Sequence, residues 1–400
     1  MMDTDLSAER RLQHDLSGQP APGEPPVFTF LLVKLASRCN IKCTYCYWFR
    51  DGEVYKKPTL LTVDAEKAFC EKIEQHITEF GLEFFMIVFH GGEPLLFPKH
   101  RFADLQERLM EIEERTGCMI DRGVCTNGIL IDDEWVDLFK KYDIGVSVSV
   151  DGPADIHDAH RIDFKGLGTH ADTIAGLERL RAAGLEPGLI SVCNPDTDPE
   201  VILAYIVDEL GIKKFDILPP DASHLDTPAP IDAYFIKLFD VWYDKYAAQG
   251  VRISTLDAMV QGLMGDASVS DTIGLGPIET VTLMSDGTLE PLDVLRIVGD
   301  GSTKTDVSVF KDTLQDIQKD ARWSAAYKAS LNLCDTCKQC EYMDACGGGH
   351  LAQRWSKERQ FDNPSVYCQS WKNIFDHIWK RISPTLVVEY QAGAGAPPPA

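Results

Sequence analysis

The sequence predicts an α/β fold built on a parallel sheet, and three observations carry that expectation. Apolar runs rich in β-branched or aromatic residues recur at 28–35, 84–89, 119–125, 144–150, 188–193 and 214–218. Runs of this kind, apolar without alternation, suit strands buried on both faces. Helical patterns separate them at 63–80, 101–115, 133–142, 170–183 and 199–210, several with Asp, Thr or Asp-Pro near the start. A chain of 400 residues with 44% hydrophobic content is long enough to bury the core that such a sheet needs. About six βα units are too few to close an eight-stranded barrel, so the expectation is an open, partial (β/α)6 TIM barrel with its site at the carboxyl ends of the strands.

Charge narrows the partners. A formal net charge of -23 opposes the positive footprint that nucleic acid or an anionic membrane requires. No apolar run approaches the ~20 residues that span a bilayer, and the amino terminus has no apolar signal core, so the expected location is cytoplasmic. Twelve cysteines in a reducing compartment point to metal or redox chemistry more than to disulfides.

Polar, Pro-rich or Gly-rich composition marks residues 1–26 and 383–400 as flexible tails. The barrel is expected over 27–220 and a helical bridge over 221–276, with helices at 231–249 and 254–264. A hairpin follows, with Ser285-Asp286-Gly287 between short strands, because Asp-Gly suits a tight turn. It opens a cysteine-rich module over 277–382.

Cys39-Asn-Ile-Lys-Cys43-Thr-Tyr-Cys46 follows the first strand. Three thiolates can hold three irons of a four-iron cluster and leave the fourth open to a small chelating ligand, whereas a zinc site would want a fourth ligand nearby. Three further glycine-bearing or polar turns follow the next strands: His90-Gly91-Gly92-Glu93-Pro94, Thr126-Asn127-Gly128, and Ser149-Val150-Asp151-Gly152-Pro153.

The C-x3-C-x2-C spacing with Tyr45 before the third cysteine, followed by these turns in order, resembles the radical S-adenosylmethionine (radical SAM) superfamily. The resemblance implies that Cys39, Cys43 and Cys46 hold the [4Fe-4S] cluster that cleaves S-adenosylmethionine. It also implies that Gly91, Gly92, Glu93 and Pro94 engage the amino group of the cofactor, and that Asn127, Ser149 and Asp151 lie toward its ribose. Bland alternatives exist for single residues: turn glycines at 91 and 92, a helix-start carboxylate at Glu93, a core-facing Ser149.

Cys337-Lys-Gln-Cys340-Glu-Tyr-Met-Asp-Ala-Cys346, with Cys368 farther on, repeats the pattern of the SPASM extension found in peptide-modifying radical SAM enzymes. The resemblance implies one auxiliary [4Fe-4S] cluster on these four thiolates; four thiolates so spaced would also suit zinc. Cys334 could replace Cys337 or be a spectator. The full seven-cysteine pattern is not met, because Leu292 and His350 stand where two further cysteines are expected. A second auxiliary cluster is therefore not expected. Asp293 follows the lost ligand, and in sulfatase-maturing relatives an aspartate there takes a proton from the substrate. That makes Asp293 the candidate general base, against the alternative of an exposed turn carboxylate.

The segments 346–355 and 361–368 are similar to SPASM maturases that cross-link ribosomally made peptides into cyclophanes, and the resemblance spans roughly residues 27–375. The expected activity is thus hydrogen abstraction from a precursor peptide followed by an intramolecular cross-link. Formylglycine formation as in sulfatase maturation, thioether formation and epimerisation are the alternatives, as is a non-catalytic iron–sulfur electron carrier. The expected partners are the precursor peptide, a reductant such as flavodoxin or ferredoxin, and a separate leader-peptide-binding protein.

Overall fold

The computed structural model describes residues 26–267, 270 and 272–393, with side chains as far as residue 384. Residues 1–25 and 394–400, expected as tail, lie outside the described residues. Six strands stand where the apolar runs predict them: β1 (Phe30–Ala36), β2 (Phe84–Gly91), β3 (Met119–Thr126), β4 (Gly145–Ser149), β5 (Gly188–Val192) and β6 (Lys214–Leu218). The intervening helices are α1 (Val63–Phe80), α2 (Lys99–Thr116), α3 (Asp133–Lys141), α4 (His170–Ala182) and α5 (Pro199–Leu203).

Local signals set several of these boundaries. The Thr62 side chain accepts from the Ala65 N–H to start α1, and Gly81 ends it at φ 61°, where a side chain would be strained. Asp132 caps α3 in the same way, and Asp198 with Pro199 opens α5. The run expected as one helix over 199–210 changes at Ala204–Glu209 to a π-helical turn. The bridge helix α6 (Asp232–Val241) does the same at Trp242–Tyr246, while α7 (Ser254–Met264) matches its predicted limits.

The sheet is more continuous than a barrel followed by a bridge and a separate module. Its order is β9-β8-β1-β2-β3-β4-β5-β6-β7, where β7 is Arg252–Ile253, β8 Thr282–Leu283 and β9 Leu289–Glu290. Only β8 and β9 run antiparallel to each other. The bridge thus supplies the strand at one edge, and the hairpin of the cysteine-rich module joins the other, with Val33 opposite Leu283. The pairing partners lie about 250 residues apart, so nothing local in the sequence announces them.

One apolar core runs through both halves, including Val33, Phe89, Phe102, Trp135, Leu256 and Leu283. Each such side chain contributes about 1.5–3 kcal/mol on full burial. The last helix, α8 (Cys368–Gly393), passes through Pro384 into the stretch expected as tail from 383; Leu386, Val387 and Val388 continue an apolar pattern there. Among the described residues, no helix is long and apolar enough to cross a membrane.

Candidate active site

The carboxyl ends of β1 to β4 carry the residues that the motifs single out. Cys39 follows β1, and Cys43 lies in a two-residue strand, Lys42–Cys43, that pairs antiparallel with Arg161–Ile162. All three leading cysteines are free thiols. Burial, the largest influence on each, pushes the Cys39 thiol up to about 12 and Cys43 to about 11. Metal binding would deprotonate them. Among the described residues no three His, Cys, Asp or Glu close to the spacing of a single ion. A four-iron cluster asks for less convergence, since each thiolate holds its own iron. The donor set fits such a cluster.

Two glycines let β2 meet this loop. Gly92 N–H donates to the Ala36 carbonyl at 2.9 Å and Glu93 N–H to that of Arg38 at 2.8 Å. A Cβ on Gly91 would lie 2.2 Å from Ala36 O, and one on Gly92 2.4 Å from Arg38 O and 2.8 Å from Cys39 N. Both glycines are therefore required by close approach, beyond any turn preference. Pro94 is buried at the start of the short turn Pro94–Leu96.

Glu93 does more locally than its motif implies. Its carboxylate accepts from Leu95 N at 3.0 Å, Thr126 Oγ1 at 2.6 Å and Asn127 N at 2.9 Å. Burial raises its pKa to about 7, against those three hydrogen bonds. A carboxylate offers about four acceptor positions, so one remains beyond these protein contacts. Asn127, oriented by Glu93, donates from Nδ2 to Asn40 Oδ1 at 2.8 Å and lies 3.8 Å from Cys39 Sγ. The second and third motifs thus meet on the cluster loop.

Asp151 is engaged by the protein itself. It accepts from Arg161 Nε at 2.9 Å, Tyr45 Oη at 2.5 Å and Val192 N at 3.2 Å. Burial works to raise its pKa, but the Arg161 guanidinium and these hydrogen bonds outweigh it and hold the carboxylate ionised. Arg161 also reaches Cys43 Sγ at 3.9 Å. Asp151 therefore anchors the cluster loop through Tyr45 and Arg161. Ser149, half-buried at the end of β4, hydrogen-bonds Cys125 of β3.

Asp293, expected either as a base or as an exposed turn carboxylate, is buried. Lys34 Nζ, fully buried in β1, donates to it, and Tyr47 Oη donates at 2.6 Å. His90 Nδ1 lies 3.1 Å from the same ammonium. Burial opposes ionisation of Asp293, but Lys34 overrides it and holds the carboxyl well below the usual carboxylate range. Burial and the Lys34 charge depress His90 to about 4, so that ring is neutral. Because Tyr47 adjoins Cys46, Asp293 stands beside the cluster loop. Motif matching passes over Lys34 and gives Arg161 no role, although a lysine inside the apolar run Phe-Leu-Leu-Val-Lys-Leu-Ala is a visible signal.

In the carboxy-terminal module, Cys337, Cys340, Cys346 and Cys368 line one cavity together with Met343, Trp371 and Phe375. Burial pushes Cys337 and Cys346 up to about 12. Gly347, Gly348 and Gly349 all have positive φ, and a Cβ on Gly347 would lie 2.0 Å from Gly274 O. Gly348 and Gly349 also hydrogen-bond the Cys346 sulfur from the backbone. Four thiols around one space, Cys337 buried and the other three partly buried, fit an auxiliary cluster. Neither Cys334 nor His350 lines the cavity; Cys334 Sγ lies 3.6 Å from Cys337 Sγ, and His350 faces Asp221 at 3.8 Å. At the place of the absent ligand, Leu292 packs with Val294, Leu295, Leu351 and Ala352 in a separate apolar cluster.

Residues 33–202 match the model of the Radical SAM superfamily, so this part of the chain is a radical SAM domain, of the enzyme class that uses S-adenosylmethionine with a [4Fe-4S] cluster. Among individual proteins it is similar to the cysteine-type anaerobic sulfatase-maturating enzyme of Clostridium perfringens strain 13, 25% identical over 389 residues, covering 89% of this chain and 98% of that protein. The serine-type enzyme of Bacteroides thetaiotaomicron is 23% identical, with 90% and 91% covered. The structure of native anSMEcpe with bound AdoMet shares the fold at TM-score 0.76 and 23% identity, covering 89% of this chain and 98% of that one. Streptococcus suis SuiB bound to its precursor peptide SuiA does so at TM-score 0.60 and 16% identity, with 91% and 80% covered.

Proposed function

We propose that this enzyme oxidises a side chain of a peptide substrate, with Asp293 taking up the proton released. The observation that carries the reading is the placement of the buried Asp293 carboxylate, held by Lys34 and Tyr47 beside the cluster loop. Cys39, Cys43 and Cys46 would hold the cofactor-cleaving cluster, and Cys337, Cys340, Cys346 and Cys368 one auxiliary [4Fe-4S] cluster. When bound, the first supplies the electron that generates the adenosyl radical, and the second an acceptor for the electron left on the substrate. On this reading residues 27–220 form the radical SAM domain, 221–276 the bridge and 277–382 the SPASM-like module.

Loss of one hydrogen atom to the adenosyl radical, one proton to Asp293 and one electron to an acceptor amounts to a two-electron oxidation. The sulfatase-maturating relatives span 89–90% of this chain, which favours oxidation of a cysteine or serine to formylglycine. A second reading, a cyclophane cross-link in a ribosomally made precursor peptide, is favoured by Leu292. Its apolar packing occupies the position of a ligand that sulfatase maturases typically keep. In either case the chain would take electrons from a flavodoxin or ferredoxin, and in the second a separate leader-binding protein would present the peptide.

The test is anaerobic incubation of reconstituted enzyme with S-adenosylmethionine, reductant and either a sulfatase-type cysteine or serine peptide or a precursor with an aromatic core motif. Product with a hydrazide-reactive aldehyde supports formylglycine formation. Loss of two hydrogens without an aldehyde supports the cross-link. An unchanged peptide mass with cofactor turned over to 5′-deoxyadenosine would sink both.

A further inference from the structure

The cavity of four thiols has a charged neighbour to which neither the sequence reading nor the proposed reaction gives a role. Arg354 closes the turn Leu351–Arg354, and its side chain is 1% exposed. Nη1 donates to the Ala329 carbonyl at 2.9 Å, and Nη2 to those of Asn332 and Phe361, each at 3.1 Å. All three acceptors are neutral. The buried Nε has no hydrogen-bond partner. Asp362, the acid that acts on this guanidinium, is exposed and gives its carboxylate to Arg359 at 2.9 Å. Gly348, which lines the cavity with Cys337 and Cys346, packs against the guanidinium side chain, so those sulfurs would feel its charge once ionised.

Glycine keeps the approach close: a Cβ on Gly348 would lie 3.2 Å from Arg354 Cδ and 3.6 Å from its Nε. The Gly-Gly-Gly run thus serves the cysteine on one side and the guanidinium on the other. A buried charge without an anion is costly. A four-iron cluster held by four thiolates is negatively charged in both redox states, and more so when reduced.

We propose that Arg354 is the buried counter-charge of the auxiliary cluster, a positioning residue that stabilises the cluster and favours its reduced state. Net charge, hydrogen bonds to the sulfurs and exposure to solvent set the potential of such clusters, and Arg354 supplies the first of these from a site that water does not screen. The inference rests on the auxiliary-cluster reading above. It deepens that reading by saying why this cluster is suited to accept the substrate's electron.

The experiment is an EPR-monitored potential titration of holoenzyme reconstituted with iron and sulfide, with and without S-adenosylmethionine to separate the two signals. Arg354→Met is expected to lower the auxiliary midpoint, so that at one fixed solution potential the ratio of reduced to oxidised auxiliary cluster falls about tenfold or more. Arg354→Lys, which keeps the charge, shifts it less, and the cofactor-cleaving cluster is unmoved in both. An Arg354→Met protein with full iron content and an unchanged auxiliary potential overturns the proposal. Wild-type protein holding about four irons per chain instead of about eight would instead defeat the auxiliary-cluster reading itself. Should Arg354→Met not fold, amide exchange in wild type decides. Removing iron with a chelator must then speed exchange across residues 329–332 and 351–361, and unchanged exchange there also overturns the proposal.

Discussion

Lys34 and Asp293, 259 residues apart in sequence, form a buried ion pair at the carboxyl end of the first strand. The ammonium also faces His90 at 3.1 Å and lies over the Trp48 ring at 4.6 Å. One lysine therefore ties together β1, β2, the cluster loop and the cysteine-rich module.

Removing that lysine leaves a buried carboxylate without its counter-charge. Lys34→Met is expected to destabilise the fold by about 3–5 kcal/mol, measured as a lower denaturant midpoint under anaerobic conditions. A variant as stable as wild type would show that Asp293 finds other compensation.

Asp293→Asn preserves shape but accepts no proton. Peptide product should fall by about 10²–10⁴-fold, while reductive cleavage of S-adenosylmethionine continues. Quantifying 5′-deoxyadenosine and modified peptide in the same reaction separates the two, and an equal loss of both would assign Asp293 to cofactor binding.

Gly92→Ala places a methyl 2.4 Å from Arg38 O and 2.8 Å from Cys39 N, so backbone must move. The expected result is loss of iron from the first cluster and of S-adenosylmethionine binding, with the carboxy-terminal cluster retained. Iron analysis together with equilibrium binding of the cofactor checks it. Gly81→Ala, where nothing lies within 4 Å, costs only the left-handed backbone penalty of about 1–2 kcal/mol.

Restoring a cysteine should not restore a cluster. Leu292→Cys leaves Val294, Leu295, Leu351 and Ala352 packed around the site, so iron should stay at about eight per chain. A rise to about twelve would mean that this apolar cluster yields readily to iron and sulfide.

Acid should weaken the fold through its buried histidines. Burial is the main force holding His76, His90 and His157 below their ordinary value of 6.5, His90 and His157 to about 4. The unfolded chain takes up these protons first, so their contribution to stability is full above 6.5. It is lost as pH falls from there toward about 4. Urea midpoints should drop between about pH 7.5 and about pH 5, and His157→Gln should shrink the drop.

The repeating βα units were legible in the sequence because periodicity, caps and glycine stops act within a few residues. Thr62 and Gly81 delimit α1 where the pattern puts it. The motifs likewise located Cys39, Gly92, Glu93 and Asn127 on one face, since each follows a strand. What could not be read was partnership over distance. Asp151 follows β4, but its bonds to Tyr45 and Arg161 depend on a two-residue ribbon, Lys42–Cys43 with Arg161–Ile162, too short to leave a pattern. Asp293 was legible as a candidate base, but its pairing with Lys34 and the enclosure of Arg354 were not, because compensation of a buried charge is a property of the folded neighbourhood.

The splicing of β8 onto β1 bears on how the chain is made. The sheet edge at β1 stays open until Leu283 has left the ribosome, and Lys34 stays without its partner until Asp293 has followed. An amino-terminal fragment ending near residue 220 would therefore expose a row of unpaired backbone groups beside a desolvated ammonium, the kind of edge that recruits other chains. The last third of the sequence is thus a folding clamp for the first strand, and truncation there should yield aggregate in place of a soluble radical domain.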